Sequence, residues 1–284
     1  KVNEEINALT TMGLDPVRAI RMATWTPADY WGLGGWGAIA PGFRANLVVL
    51  DDLRTVQVAA TLFEGRIVAS DGQMAPDAMP ATEEPPALLL GSVHMAPVST
   101  HDLQLDPANA RSAVGAIPGE IATRWLSVEP EIRNGEAIAS VERDLLKLVC
   151  VERHHATGRV GVGYVHGFGL RAGALASSIA HDAHNIVAVG ADDADILRAI
   201  AIVAESDGGL AAVVDGEVVA HMALPIAGIL SDLPLAETAR SYDALEAAAR
   251  AMGSTLPSPF GLLAFMALSV IPEARVTDRG FVTV

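Results

Sequence analysis

Four prolines, Pro76, Pro80, Pro85 and Pro86, stand close together among alanines and the acidic pair Glu83 and Glu84. Proline has no backbone N–H to donate and its ring clashes with a preceding helical turn, so neither a helix nor a central strand runs through such a segment. The stretch from Asp71 to Pro86 therefore reads as an exposed connector, which splits the 284 residues into a shorter first part and a longer second part. A chain of this length makes one large domain or two ordinary ones, since domains usually run to roughly 100–200 residues. Hydrophobic residues make up 51% and charged residues 19%, enough apolar material for a core, so bulk disorder is excluded.

Charge narrows the partners. Nineteen basic residues against 34 acidic ones leave a formal charge of −15, which repels phosphate backbones and anionic lipid. Nucleic acids and membrane faces are thus poor partners, while neutral or cationic small molecules remain open. Cys150 is the one cysteine, so neither an internal disulfide nor a cysteine zinc cluster can form. The apolar run Phe260 to Ile271 is shorter than the roughly 20 residues of a membrane span, and no signal peptide opens the chain. These features lead us to expect a soluble, cytoplasmic protein.

The first residues carry no initiator Met, and Ile6 and Leu9 already have helical spacing, as though the chain starts inside an element. Asp15-Pro16 supplies an N-cap followed by proline at the first helical position, with Val17, Ile20 and Ala23 along one face. Thr26-Pro27 repeats the signal for a short helix over 28–31, stopped by glycines at 32, 34, 35 and 37. Strand periodicity follows over 38–40, 46–51, 56–63 and 66–69.

The segment Ala23-Thr24-Trp25-Thr26-Pro27-Ala28, then Leu33, then Gly37-Ala38-Ile39-Ala40-Pro41-Gly42, then Ala45-Asn46-Leu47-Val48-Val49-Leu50-Asp51, resembles the closing segment of metal-dependent amidohydrolases. That resemblance implies the last helix of a (β/α)8 barrel followed by half of a small β-sandwich. Asn46 stands where the family usually has Asp, and a strand-end turn tolerates either. Trp25, Trp31 and Trp36 are expected to pack between helix and sandwich.

Past the connector, strand-like runs recur at 112–117, 122–128, 137–141, 145–151, 159–165, 174–179 and 186–189, separated by turn signals such as Pro118-Gly119 and Asn134-Gly135. Asp192 or Asp193 caps a helix through Glu205, Asp215-Gly216 turns a hairpin, and helices over 235–252 and 259–268 complete an α+β pattern. Two polar clusters interrupt it. His181-Asp182-Ala183-His184-Asn185 lies between two apolar runs, dense enough to favour a functional or lid role over a hydrogen-bonded turn. Arg153-His154-His155 follows a buried-type strand at its end, where side chains can face a cleft, and structural hydrogen bonding explains it equally well. Gly161-x-Gly163 and Gly167-x-Gly169 match neither the dinucleotide fingerprint nor the P-loop, so tight strand turns account for them better than phosphate binding. Lone histidines at 94, 101, 166 and 221 are more often surface residues than ligands.

This second part is similar to the C-terminal domain of bacterial adenine deaminases, a subgroup of the same superfamily. The residues carrying the likeness are Val151-Glu152-Arg153-His154-His155-Ala156-Thr157-Gly158, Gly167-Phe168-Gly169-Leu170, Gly173 through Ile186, Leu224-Pro225-Ile226-Ala227-Gly228 and Thr255 through Phe260. The resemblance implies hydrolysis of adenine to hypoxanthine and ammonia by a water activated on a dinuclear manganese or iron centre, in a homo-oligomer. It divides the chain into a barrel end over 1–36, a sandwich segment over 37–75, a connector over 76–90 and an α+β domain over 91–284. In that family the metals sit in the barrel, held by a His-x-His pair, carboxylates and further histidines; no His-x-His occurs here, and a full barrel needs about 250 residues. The chain therefore reads as the C-terminal portion of such an enzyme, inactive alone, with no metal ligands of its own. Its candidate substrate-binding or lid residues are His181, Asp182, His184, Asn185, Arg153, His154 and His155. Two alternatives stay open: a non-catalytic module for purine binding or assembly, and an amidohydrolase acting on another cyclic amidine.

Overall fold

The computed structural model describes residues 2–78 and 84–284. The middle of the expected connector, including Pro80 and Glu83, lies outside the described residues. The chain divides into two compact units, Lys1–Glu84 and Pro85–Val284.

The first unit begins with three short helices, α1 (Val2–Thr11), α2 (Pro16–Ala23) and α3 (Trp25–Tyr30). Asp15 caps α2 as its sequence suggests, its carboxylate accepting the Arg18 N–H, with Pro16 at the first position. α3 starts three residues earlier than Thr26-Pro27 indicated. Strands β1 (Leu47–Asp52), β2 (Gln57–Phe63), β3 (Arg66–Ser70) and β4 (Gln73–Met74) form an antiparallel sheet in that order. Asn46 fixes its β2–β3 turn, since its side-chain oxygen accepts the Glu64 N–H at 2.8 Å. A carboxylate at that position would accept the same bond.

The expected strand over 38–40 does not form. Gly37, at φ +85°, presses so close to the α2–α3 junction that a β-carbon there would stand 2.8 Å from the Thr24 carbonyl oxygen. That contact bends the chain away from extended pairing. The core is small, Ile6, Ala19 and Val56 supported by Leu9, Leu14, Ile20 and Leu50. Beside it an apolar groove of about 580 Å³ is lined by Val2, Ile6, Ile20, Ile39, Val48 and Val58.

The second unit is α+β, built on an open eight-stranded sheet. Its elements are β5 (Ser112–Ala116), β6 (Thr123–Ser127), a small hairpin of β7 (Glu131–Arg133) and β8 (Glu136–Ile138), β9 (Leu145–Val151), β10 (Val160–His166), β11 (Ala174–Ser177) and β12 (Ile186–Gly190). There follow α4 (Asp193–Glu205), β13 (Gly209–Val214), β14 (Glu217–Ala223), α5 (Leu235–Ala251), α6 (Pro259–Leu263), β15 (Ala274–Thr277) and β16 (Gly280–Thr283). The sheet order is β14-β13-β11-β12-β9-β10-β5-β6, antiparallel except for the parallel pair β10–β5.

β9 reads as seven consecutive apolar or buried residues because both sheet faces are covered. Leu146, Leu148 and Cys150 join one core with α5, α6 and β15, while Val149 and Val151 join another beneath α4. Lys147 is buried on the α4 side, where its Nζ donates to the Leu103 carbonyl and pairs with Asp193 at 2.7 Å. That carboxylate sits in the first turn of α4, whose N-cap is Asp192.

The β15–β16 hairpin has no counterpart in the sequence reading. It packs against β10 where Gly161 and Gly163 lie; a β-carbon on Gly161 would stand 1.8 Å from the Thr277 carbonyl oxygen. These two glycines are thus strand-interior positions, Gly161 cleared for the hairpin backbone and Gly163 for the Val276 and Phe281 side chains, not turn residues. Arg275, fully buried in β15, donates to the carbonyls of Leu268 and Ile121 and to the Thr123 hydroxyl, fastening the hairpin to β6.

Candidate functional site

Val151 of β9 pairs with Ile186 of β12, so the loop leaving β9 and the loop entering β12 emerge side by side at one end of the sheet. The two polar clusters, far apart in sequence, are thereby brought together.

Glu152 organises the first loop. Its buried carboxylate accepts the N–H groups of His154, His155 and Thr157 at 2.6, 2.9 and 3.1 Å, and the Thr157 hydroxyl at 2.8 Å. Burial pushes its pKa up, but these donors outweigh it and hold the carboxyl at about 2. The chain wraps around this anion and reverses at Ala156, which has φ +49°.

Arg153, 2% exposed, joins the two loops. Its Nε donates to the His184 carbonyl, Nη2 to the Ala227 carbonyl at 3.1 Å, and Nη1 to the Ser92 carbonyl at 3.3 Å. Burial lowers its pKa and the nearby Asp207 carboxylate partly restores it. With these bonds inside the protein, the guanidinium works as an internal clasp. His154 adds a second tie, its Nε2 meeting the Ala183 carbonyl oxygen at 2.7 Å. His155 is exposed.

The second loop turns over Ile179–Asn185. Its base is fixed by the buried Ser178 hydroxyl, which donates to the Gly228 carbonyl at 2.6 Å. The His181 N–H donates to the Ala264 carbonyl at 2.8 Å, and the His184 N–H to the Ala180 carbonyl at 2.6 Å. The two imidazoles meet edge to face at 5.5 Å between centroids, and Phe265 lies 4.7 Å from His181. Asp182 points outward, exposed. Desolvation, reinforced by the charges of His181 and Arg153, lowers the His184 pKa below its ordinary value. Its Nδ1 is buried with no hydrogen-bond partner, as is Oδ1 of Asn185.

Arg153 is committed to carbonyls within the protein, and the cluster keeps unpaired the Nδ1 of His184 and the Oδ1 of Asn185, on a backbone held from several sides. It does not suit a metal. Among the described residues no three His, Cys, Asp or Glu side chains are placed to hold an ion; within the two loops Asp182 points outward and Glu152 is saturated by protein donors. Residues essential to the geometry escaped the sequence reading. Ser92, Ser178, Ala227 and Phe265 act through backbone carbonyls, a buried hydroxyl or ring contact, and such roles leave no charge pattern; Glu152 carried the only available signal, an acid directly after an apolar strand.

Residues 120–284 match the family described as adenine deaminase C-terminal domain, and residues 1–68 match the amidohydrolase family. An adenine deaminase of Dehalococcoides mccartyi strain BAV1 is 44% identical, the match covering 96% of this chain and 48% of that protein. One from Methanothrix thermoacetophila is 41% identical over 100% of this chain and 49% of its own length. One from Bacillus pumilus is 36% identical over 98% and 49%. The chain spans about half the length of the curated relatives it matches.

Proposed function

Because the chain belongs to the adenine deaminase family of the metal-dependent amidohydrolase superfamily, we propose that it is the C-terminal portion of an enzyme that hydrolyses adenine to hypoxanthine and ammonia. The observation that carries this reading is the succession, in one chain, of an amidohydrolase segment and the adenine deaminase C-terminal domain, with relatives 36–44% identical over nearly all of it. In this reading residues 1–36 end the barrel, 37–75 belong to a β-sandwich, 76–90 connect, and 91–284 form the appended domain. The charge of −15 suits a small neutral substrate in the cytoplasm better than a polyanion. Assembly as a homo-oligomer belongs to the same reading.

Deamination at C6 of a purine needs an activated water and a proton donor for the departing amine. A manganese or iron centre would supply the first in this family, and the residues described here do not fit one, so no step through it is assigned to them. What this chain contributes is closure. The His181–Asn185 turn, clasped by Arg153 and His154, would cover the purine, exclude water and offer imidazole and carboxamide groups to ring nitrogens. A second reading, for the chain in isolation, is a non-catalytic purine-binding or assembly module, since among the described residues no three His, Cys, Asp or Glu side chains are placed to hold an ion.

The test is ammonia release from adenine. The 284-residue chain alone, with manganese, should show none above background, and the chain joined to the amidohydrolase half of the Dehalococcoides relative should turn adenine over. In that joined enzyme His181→Ala and His184→Ala should each lower kcat/KM about ten-fold with metal content unchanged. Turnover of a different cyclic amidine in place of adenine, or metal-dependent turnover by the chain alone, would overturn the reading.

A further inference from the structure

β6 is the last strand of the eight-stranded sheet, and an edge strand offers its outward N–H and C=O groups to any extended chain that approaches. Thr123 and Trp125 both turn their backbone groups away from β5, since each bonds to the segment lying beyond the edge. The alternation of an antiparallel pair makes Ser127 the next outward residue.

One residue covers most of that edge. The Thr123 N–H donates to the Pro272 carbonyl and the Glu273 N–H to the Thr123 carbonyl, both at 3.0 Å. Two residues along β6, the Trp125 N–H donates to Oε2 of Glu273 at 2.8 Å. Glu273 thus makes the backbone bond of a neighbouring strand at Thr123 and replaces the following one with its side chain. It is held in place for this: its own carbonyl accepts the Val284 N–H at 2.8 Å, and the adjoining Ala274 carbonyl accepts the Thr123 hydroxyl at 2.8 Å.

Beyond Trp125 the cover ends. The indole is 46% exposed and the nearby Ile121 side chain 48%, so apolar surface lies beside the open end of the strand. Outward groups at 123, 125 and 127 are spaced symmetrically about Trp125. Two copies of β6 could therefore pair antiparallel, Trp125 opposite its counterpart and Thr123 opposite the counterpart of Ser127, in a closed two-fold arrangement. We infer that Glu273 is a plug on this edge, its carboxylate standing where a second copy of β6 would bond and so keeping the sheet from continuing into another molecule. The side chain acts twice, since it satisfies the Trp125 N–H and would set two like charges against each other in such a pair. This inference rests on the sheet geometry and is independent of the deaminase reading.

Sedimentation velocity of the 284-residue chain over a range of concentrations tests it. The unaltered chain should keep one state throughout, and Glu273→Ala should about double the mass of that state as concentration rises. By hydrogen exchange the Trp125 N–H, protected in the unaltered chain at every concentration, should exchange at least ten-fold faster in dilute Glu273→Ala and regain protection on association. Trp125→Pro, a change that an edge strand accepts where its N–H faces outward, should abolish the association when added to Glu273→Ala. A folded Glu273→Ala that stays in the unaltered state, or one that associates equally well with Trp125→Pro, would overturn the inference. If Glu273→Ala does not fold, exchange in the unaltered chain decides: fast exchange of the Trp125 N–H, or protection that grows with concentration, would show that the edge is open, and constant protection that it is plugged.

Discussion

The Nε–H of Arg153 donates to the carbonyl oxygen of His184, so the loop after β9 holds the backbone of the turn before β12. A buried cation serves three carbonyls here, and Gly228 makes room for it: a β-carbon at that position would stand 2.5 Å from Nη1. Arg153→Met leaves those acceptors without donors in a dry site and should cost about 3 kcal/mol or more in urea unfolding. Gly228→Ala should also destabilise, from the clash and from its φ of +73°, and by less when Arg153 is already Met. Additive losses in that double-mutant cycle would show that the two residues do not meet.

Glu152 gives the same loop a dependence on acid. Its pKa falls from 4.5 to about 2 on folding, so its stabilisation is fully present above the unfolded value and is lost as pH falls through the folded one. At neutral pH Glu152→Gln should lose on the order of 2 kcal/mol, and the gap to the unaltered protein should close between about pH 4.5 and 2. A gap independent of pH would mean that the loop does not hold the carboxylate.

His184 should titrate below the ordinary 6.5 by two-dimensional NMR of the imidazoles. Since the unfolded chain takes up that proton first, the contribution of His184 is complete above the unfolded value and declines as pH falls toward the folded one. His181→Ala removes one of the neighbouring charges and should move the His184 value part of the way back up. A value at or above 6.5 in the unaltered protein would contradict the burial of the ring.

The groove of the first unit should bind a hydrophobic dye. Ile39 is 88% exposed and Val48 56%, and neither belongs to the small core of that unit. Ile39→Ser with Val48→Thr should cut dye fluorescence at least two-fold with little change in melting temperature, because no packed neighbours are lost. A silent unaltered protein would mean that the groove is closed in solution.

Much of the secondary structure was legible in the sequence, and the reason is local. β9 was readable over its whole length because a strand covered on both faces needs a nearly continuous apolar run, here interrupted only by Lys147, and α2 and α4 carry their caps at Asp15 and Asp192. The β15–β16 hairpin was not, because Arg275 interrupts its pattern with a charge whose partners are carbonyls elsewhere in the chain. Helix α6 stops at Leu263 although apolar residues continue, since Met266 and Leu268 are buried from irregular turns. The candidate residues at 153–155 and 181–185 stood out individually. That they share one place depends on the pairing of β9 with β12, a long-range choice without a local signature.

Gly161 and Gly163 leave one strip of β10 bare of side chains, and residues from β15 and the following turn supply what is missing. The cover for a strand made at residue 160 is therefore encoded more than a hundred residues downstream, and Arg275 ties it to β6, farther upstream still. During synthesis the growing sheet must wait with an open seam until the hairpin has been translated. Folding of this unit is then a late and slow event for its length, with β10 as the surface most in need of protection from other chains in the meantime.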